Sequence, residues 1–152
     1  MIFTRLILLF ALWQSVAYAQ SSYEKVGQFS VRVGTSVATH LISPNQFLNV
    51  RPDGTFVVIW IDVWNQGKLP VRPPEFGLKD RSGNLYSPSD HGWVAFNAFN
   101  KNLINPGNSR GGNIVFDVPY WQQFFDLVVS DGSNRMTLWV GTPSQTGNLW
   151  TP

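Results

Sequence analysis

The chain is predicted to fold as an all-β antiparallel sandwich of about seven strands, and three observations predict it. Short apolar segments recur with period-2 alternation. Glycine, proline, asparagine and aspartate interrupt them at intervals that suit turns. No stretch sustains the 3.6-residue periodicity of an amphipathic helix.

Phe29, Val31, Val33, Thr35 and Val37 alternate with Ser30, Arg32, Gly34, Ser36 and Ala38, which predicts a half-buried strand with its polar face outward. Turn residues follow at Pro44-Asn45 and again at Arg51-Pro52-Asp53-Gly54. In the second set, proline presets φ and glycine tolerates a positive φ, so the chain is expected to turn sharply there. Phe56 to Trp64 is the strongest strand. Val57, Ile59, Ile61 and Val63 point one way, and Phe56, Val58, Trp60, Asp62 and Trp64 point the other. A strand apolar on both faces is expected to be central and covered on its second side, with Asp62 paired to an arginine or placed at the rim.

Pro70, Pro73 and Pro74 exclude a central strand and predict an extended crossover. Phe76 and Leu78, then Leu85 and Tyr86, flank Asp80-Arg81-Ser82-Gly83-Asn84 as a hairpin with a glycine-bearing loop. Ser87 to Asn102 is irregular, and Asn105-Pro106-Gly107-Asn108 turns the chain into a strand around Ile114, Phe116 and Val118. Phe124 to Ser130 and Met136 to Val140 make a last hairpin about Asp131-Gly132-Ser133-Asn134. Seven short strands with frequent turns suit a sandwich of immunoglobulin-like type. Gly141 to Pro152 reads as a loosely packed tail, with Leu149 and Trp150 as its fasteners.

Met1 to Ala19 has the pattern of a secretory signal peptide: one basic residue at Arg5, an apolar run from Leu6 to Trp13, and small residues at Ala17 and Ala19. That run is far short of the roughly 20 residues that span a bilayer, and no transmembrane segment is expected elsewhere. Cleavage after Ala19 would leave a single domain, residues 20–152, free in the periplasm or outside the cell. The chain has no cysteine, which excludes disulfides, thiol nucleophiles, cysteine-ligated metals and a lipid anchor on a cysteine. Losing Arg5 reduces the 11 basic residues to 10, against 9 acidic ones. They are scattered singly, so nucleic acid is not an expected partner.

The segments "GTFVVIWIDVWNQGKLPV", "EFGLKDRSGNLYSP", "NPGNSRGGNIVFDVP" and "FFDLVVSD", in that order, resemble a family of bacterial secreted immunoglobulin-like domains of unknown function, related to an immunoprotective extracellular antigen. The resemblance covers roughly Gly54 to Gly132 and implies the fold and export. Many relatives in that family are lipoproteins, from which this chain departs by lacking a cysteine. The resemblance implies no catalytic residue.

Ser87, Ser89, Asp90 and His91 in "YSPSDHGW" include the residue types of a hydrolase triad, but triad members converge from separate segments, so a capped loop with a solvated histidine is the expectation. No Gly-x-Ser-x-Gly elbow is present. His40 and His91 are the only histidines, and their spacing builds no zinc site. The Asp80 and Asp131 segments each carry too few carboxylates for calcium, and turn chemistry accounts for both. No metal or cofactor is expected, and no catalytic residue is assigned.

Aromatic content is the remaining signal. Six tryptophans lie beyond the leader. Trp60, Trp64 and Trp139 sit inside strands and are expected in the core. Trp93, Phe96 and Phe99 in the irregular loop, and Tyr120 and Trp121 after Pro119, are the candidate binding residues, because loops on a rigid scaffold often carry recognition. The leading reading is a secreted or periplasmic, non-enzymatic module that binds a protein or cell-envelope partner. The alternative is carbohydrate binding through exposed loop aromatics, and a small hydrolase using Asp62 with Glu75 or Asp90 comes third.

Overall fold

Alternation of apolar residues builds two sheets that bury one face each against the other. The computed structural model describes residues 22–119 and 124–146, together with the backbone of 149–150. The expected signal peptide, Tyr120 and Trp121 lie outside the described residues. The strands in chain order are β1 (Glu24–Val26), β2 (Phe29–Thr39), β3 (Ile42–Asn45), β4 (Leu48–Val50), β5 (Thr55–Asn65), β6 (Glu75–Asp80), β7 (Leu85–Tyr86), β8 (Ser109–Val118), β9 (Phe125–Ser130), β10 (Arg135–Gly141), β11 (Ser144–Thr146) and β12 (Leu149–Trp150). The seven strands read from the sequence are β2 and β5 to β10; the other five are short.

One sheet has the order β1-β2-β5-β8, with β11 also on β2, and the facing sheet has the order β10-β9-β6-β7. β5 is central, antiparallel to both β2 and β8. Its Val57, Ile59, Ile61 and Val63 are fully buried and meet Phe76, Leu78, Leu127 and Val129 of the opposite sheet. Burial of such side chains contributes about 1.5–3 kcal/mol each.

The second face of β5 is covered over only half its length. Phe56 and Val58 lie in a smaller cluster with Ile42, Val94, Ala95 and Val115, roofed by the β3-β4 hairpin and a 3-10 turn at Gly92–Val94. Further along, Trp60 is half-buried and Trp64 is exposed. Asp62 is paired, as expected, with Arg32 Nη2 at 2.7 Å. Trp64 and Trp139 therefore correct the expectation of core packing, and Trp60 meets it only in part, half-buried on the outer face of β5. The roof ends before Trp64, and Trp139 is exposed on the outer face of the second sheet, in register with Asp126. A second correction concerns β2. An irregularity between Val33 and Ser36 sets Val37 opposite Val58, so Val37 joins the outer face, away from Val33.

Asn65 fastens the crossover that carries the chain from one sheet to the other. Its fully buried side chain donates from Nδ2 to the carbonyls of Leu69 and Ile104, both at 2.9 Å, and its Oδ1 accepts the Gly67 amide at 2.8 Å. Val71 and Ile104 exchange both backbone hydrogen bonds, which ties this crossover to the returning segment before β8.

Turns are set by short polar side chains. Asp80 accepts from the Asn84 amide, Asn84 Nδ2 and the Tyr86 hydroxyl at 2.8–2.9 Å, and Asp131 Oδ1 accepts the Ser133 and Asn134 amides at 3.0 and 2.7 Å. Asp117 accepts the Asp53 and Gly54 amides at 2.8 and 3.1 Å, locking the turn into β5. At the chain's end, β11 pairs in parallel with Val37 to Thr39, and β12 pairs in parallel with Ile42 and Ser43. The fastening expected of Leu149 and Trp150 thus takes the form of a backbone strand.

Candidate functional site

The irregular segment between β7 and β8 lies along the outer edge of β8. An open strand edge presents unpaired amides and carbonyls and invites pairing with another chain. Here the Ser89 amide donates to the Val115 carbonyl at 2.7 Å, the Phe99 amide donates to the Asn113 carbonyl at 2.9 Å, and the Asn113 amide donates to the Asn97 carbonyl at 2.8 Å. Asn113 Nδ2 adds a bond to the Phe96 carbonyl at 2.7 Å. Gly112 is required at this seam, because a Cβ there would stand 2.7 Å from the Phe99 Cα and 2.9 Å from the Asn97 carbonyl oxygen.

Between its attachments at Ser89 and Phe99 the segment folds into the 3-10 turn. Val94 and Ala95 turn inward to the smaller apolar cluster, which leaves their neighbours Trp93 and Phe96 on the surface, 66% and 48% exposed. Asn97 has φ of 48°, the left-handed region that asparagine tolerates better than most residues, and its carbonyl makes the bond to β8. Phe99 packs partly into the main core, edge-on to Phe76 with ring centroids 5.7 Å apart.

A cleft of about 410 Å³ opens here. Pro88, Trp93, Ala98 and Phe99 give it apolar walls, and Ser89, Asp90, Asn100, Lys101 and Asn113 supply polar groups of both charges. Of the sequence candidates, Trp93 and Phe99 share this cleft; Phe96 is exposed on the same loop without lining it. Pro88, Lys101 and Asn113 gave no sequence signal as site residues, because only the fold brings three separate stretches together.

Of the triad-like residues, Ser89 and His91 meet within one local turn. Ser89 Oγ accepts the His91 backbone amide at 3.2 Å, a local turn bond, and His91 is exposed. Asp62 is held by Arg32 and by the Tyr23 hydroxyl at 3.2 Å, whereas Glu75 meets Lys101 Nζ at 3.4 Å. Asp62 lies on the outer face of one sheet, and Glu75 belongs to the other sheet. Among the described residues no group of three His, Cys, Asp or Glu side chains converges as a metal site.

Residues 22–135 match the family described as Domain of unknown function (DUF4352). The chain belongs to that family. The match takes in every strand from β1 to β9 and the whole loop that builds the cleft. No curated protein matches the chain. Solved structures share the DUF4352 chain's fold at low identity. A conserved hypothetical protein from Bacillus anthracis has 18% identity and a TM-score of 0.60, over 81% of this chain and 94% of that one. The secreted protein MPT63 from Mycobacterium tuberculosis has 15% identity and a TM-score of 0.56, over 90% and 99%. An uncharacterized beta-sandwich protein from Clostridium difficile has 12% identity and a TM-score of 0.52, over 80% and 91%. The likeness establishes the β-sandwich that the sequence predicted, and one of the proteins that share it is described as secreted.

Proposed function

We propose that this DUF4352 chain is an exported, non-enzymatic module that binds an extended segment of a protein at the cell envelope through the cleft beside β8. One observation carries the reading: an indole 66% exposed at the mouth of an apolar-walled cleft, on a loop anchored at both ends. An aromatic ring held ready at such a site is a typical binding anchor. Asp90 and Lys101 at the polar margin suit a partner carrying both charges. The non-enzymatic reading is supported by the engagement of Ser89, Asp62 and Glu75 in turn and ion-pair contacts. Export is supported by the leader pattern in Met1 to Ala19 and by the description of one structural neighbour as secreted.

Two measurements test the proposal. The exported protein is expected to begin at Gln20, or at its cyclised form, in intact-mass analysis; retention of Met1 to Ala19 overturns export. Capture from envelope extract and culture medium is expected to fall roughly tenfold for Trp93→Ala, with the melting temperature unchanged. Equal capture by that variant removes the cleft from the function.

A further inference from the structure

Among the described residues, the half of the β1-β2-β5-β8 sheet beyond the roof carries a second group of accessible aromatic and polar side chains, separate from the cleft. Arg32 of β2, Asp62 of β5 and Gly111 of β8 stand in one cross-strand register, with Tyr23 one residue before β1 on the same row. Trp60 and Trp64 flank Asp62 on the same face of β5. Four residues of extended strand set their positions roughly 13 Å apart.

The two rings are held differently. Trp60 lies across the sheet between two residues that lack side chains: a Cβ on Gly34 of β2 would come 2.9 Å from its Cδ1, and one on Gly111 of β8 would come 2.8 Å from its Cζ2. The indole thus spans from β2 across β5 to β8. Trp64 is 39% exposed and meets Tyr23 edge-on with centroids 6.3 Å apart, and the Arg32 guanidinium sits 4.9 Å from the Tyr23 ring centre. Between the indoles, Asp62 Oδ2 receives both Arg32 Nη2 at 2.7 Å and the Tyr23 hydroxyl at 3.2 Å. Asp62 Oδ1 remains as an acceptor beside Gly111, and the rest of the guanidinium keeps its donors. Burial, followed by the Asp62 carboxylate, raises the Tyr23 hydroxyl above its ordinary 10.0, so it stays protonated as a donor.

We propose that this surface binds a glycan chain of neutral pyranose rings, stacked on Trp60 and Trp64 and hydrogen-bonded by Arg32, Asp62 and Tyr23. The ion pair decides the ligand class. Arg32 and Asp62 cancel each other, so the centre of the surface attracts neither an anion nor a cation, yet it offers donors and an acceptor at short range. A sugar ring presents the complement: an apolar C–H face for an indole, and hydroxyls at its rim that both give and accept hydrogen bonds. A hydrophobic peptide would leave the remaining guanidinium donors and Asp62 Oδ1 without partners, at a cost.

The test is co-sedimentation of the full chain with cellulose, chitin and purified peptidoglycan, whose separate arms distinguish plain glucan from amino-sugar chains. Retention on at least one is expected, weakened roughly tenfold or more by Trp64→Ala and by Trp60→Ala, and largely restored by Trp64→Tyr. Thermal melts of each variant separate binding from folding, because Trp60→Ala also uncovers two glycines. Trp93→Ala is expected to bind these glycans normally, so failure of the cleft and failure of this surface are read independently. Absence of retention on all three materials overturns the proposal, as does retention indifferent to Trp64→Ala or lost only with Trp93→Ala.

Discussion

Asn65 shows how one side chain can hold an architecture. Replacing it with alanine strands the Leu69 carbonyl and the Gly67 amide, and leaves the Ile104 carbonyl with the Val71 amide alone, at the place where two crossovers meet. Asn65→Ala is therefore expected to cost about 2–4 kcal/mol in denaturant unfolding, more than an exposed aromatic such as Trp139→Ala, which should stay within about 1 kcal/mol. Asp131 gives a pH signature. Its hydrogen bonds from Asn134, main chain and then side chain, and from the Ser133 amide hold its carboxyl below the ordinary 3.8. A depressed folded-state value means that the stabilisation is present above 3.8 and fades as pH falls through the lower, folded value. Asp131→Ala should accordingly melt below the parent at neutral pH, and the gap should close on acidification past that point. A gap that persists at the acid end would assign the effect to something other than the carboxylate.

At the level of elements, the seam between β8 and the loop is the most specific prediction. Gly112→Ala drives a methyl into the backbone of Asn97 and Phe99. Amide exchange at Phe99 and Asn113 should quicken in that variant, while the amides shared by β2 and β5 remain protected; uniform acceleration would show that the seam is not a separate unit. The same contrast explains what could be read in advance. β5 announced itself because every residue from Phe56 to Val63 except Asp62 is apolar, and β9 and β10 because the turn sequence Asp131-Gly132-Ser133-Asn134 separates two largely apolar runs. β3 and β4 were hidden: Ser43, Pro44 and Asn45 carry no strand preference and pair only because Ile42, Leu48 and Val50 roof Phe56 and Val58. The exposure of Trp64 was equally illegible, since its identity is that of a core residue and only the end of the roof decides otherwise. The alternation of Trp93 and Phe96 with the inward Val94-Ala95 pair kept both on the surface, while the bond of Phe99 to β8 drew its ring toward Phe76.

Across the whole molecule, stability rests on a core shared by the two facing sheets, without any covalent cross-link. Phe116, fully buried near the middle of that core, should cost about 3–5 kcal/mol as Phe116→Ala. Strand edges matter as well. Deleting residues 143–152 would open the β2 edge at Val37 to Thr39, and the shortened chain is expected to associate with rising concentration in light scattering; a monodisperse product would show that the edge is harmless. Because Ser144 of β11 finds its place on Val37, 107 positions earlier, the first sheet is incomplete until that whole stretch has been made. At ribosomal speeds of roughly 5–20 residues per second, that interval lasts about 5–20 s. Through that interval a nascent chain of this sequence is unable to close its first sheet, and so remains open to any factor that must thread it unfolded.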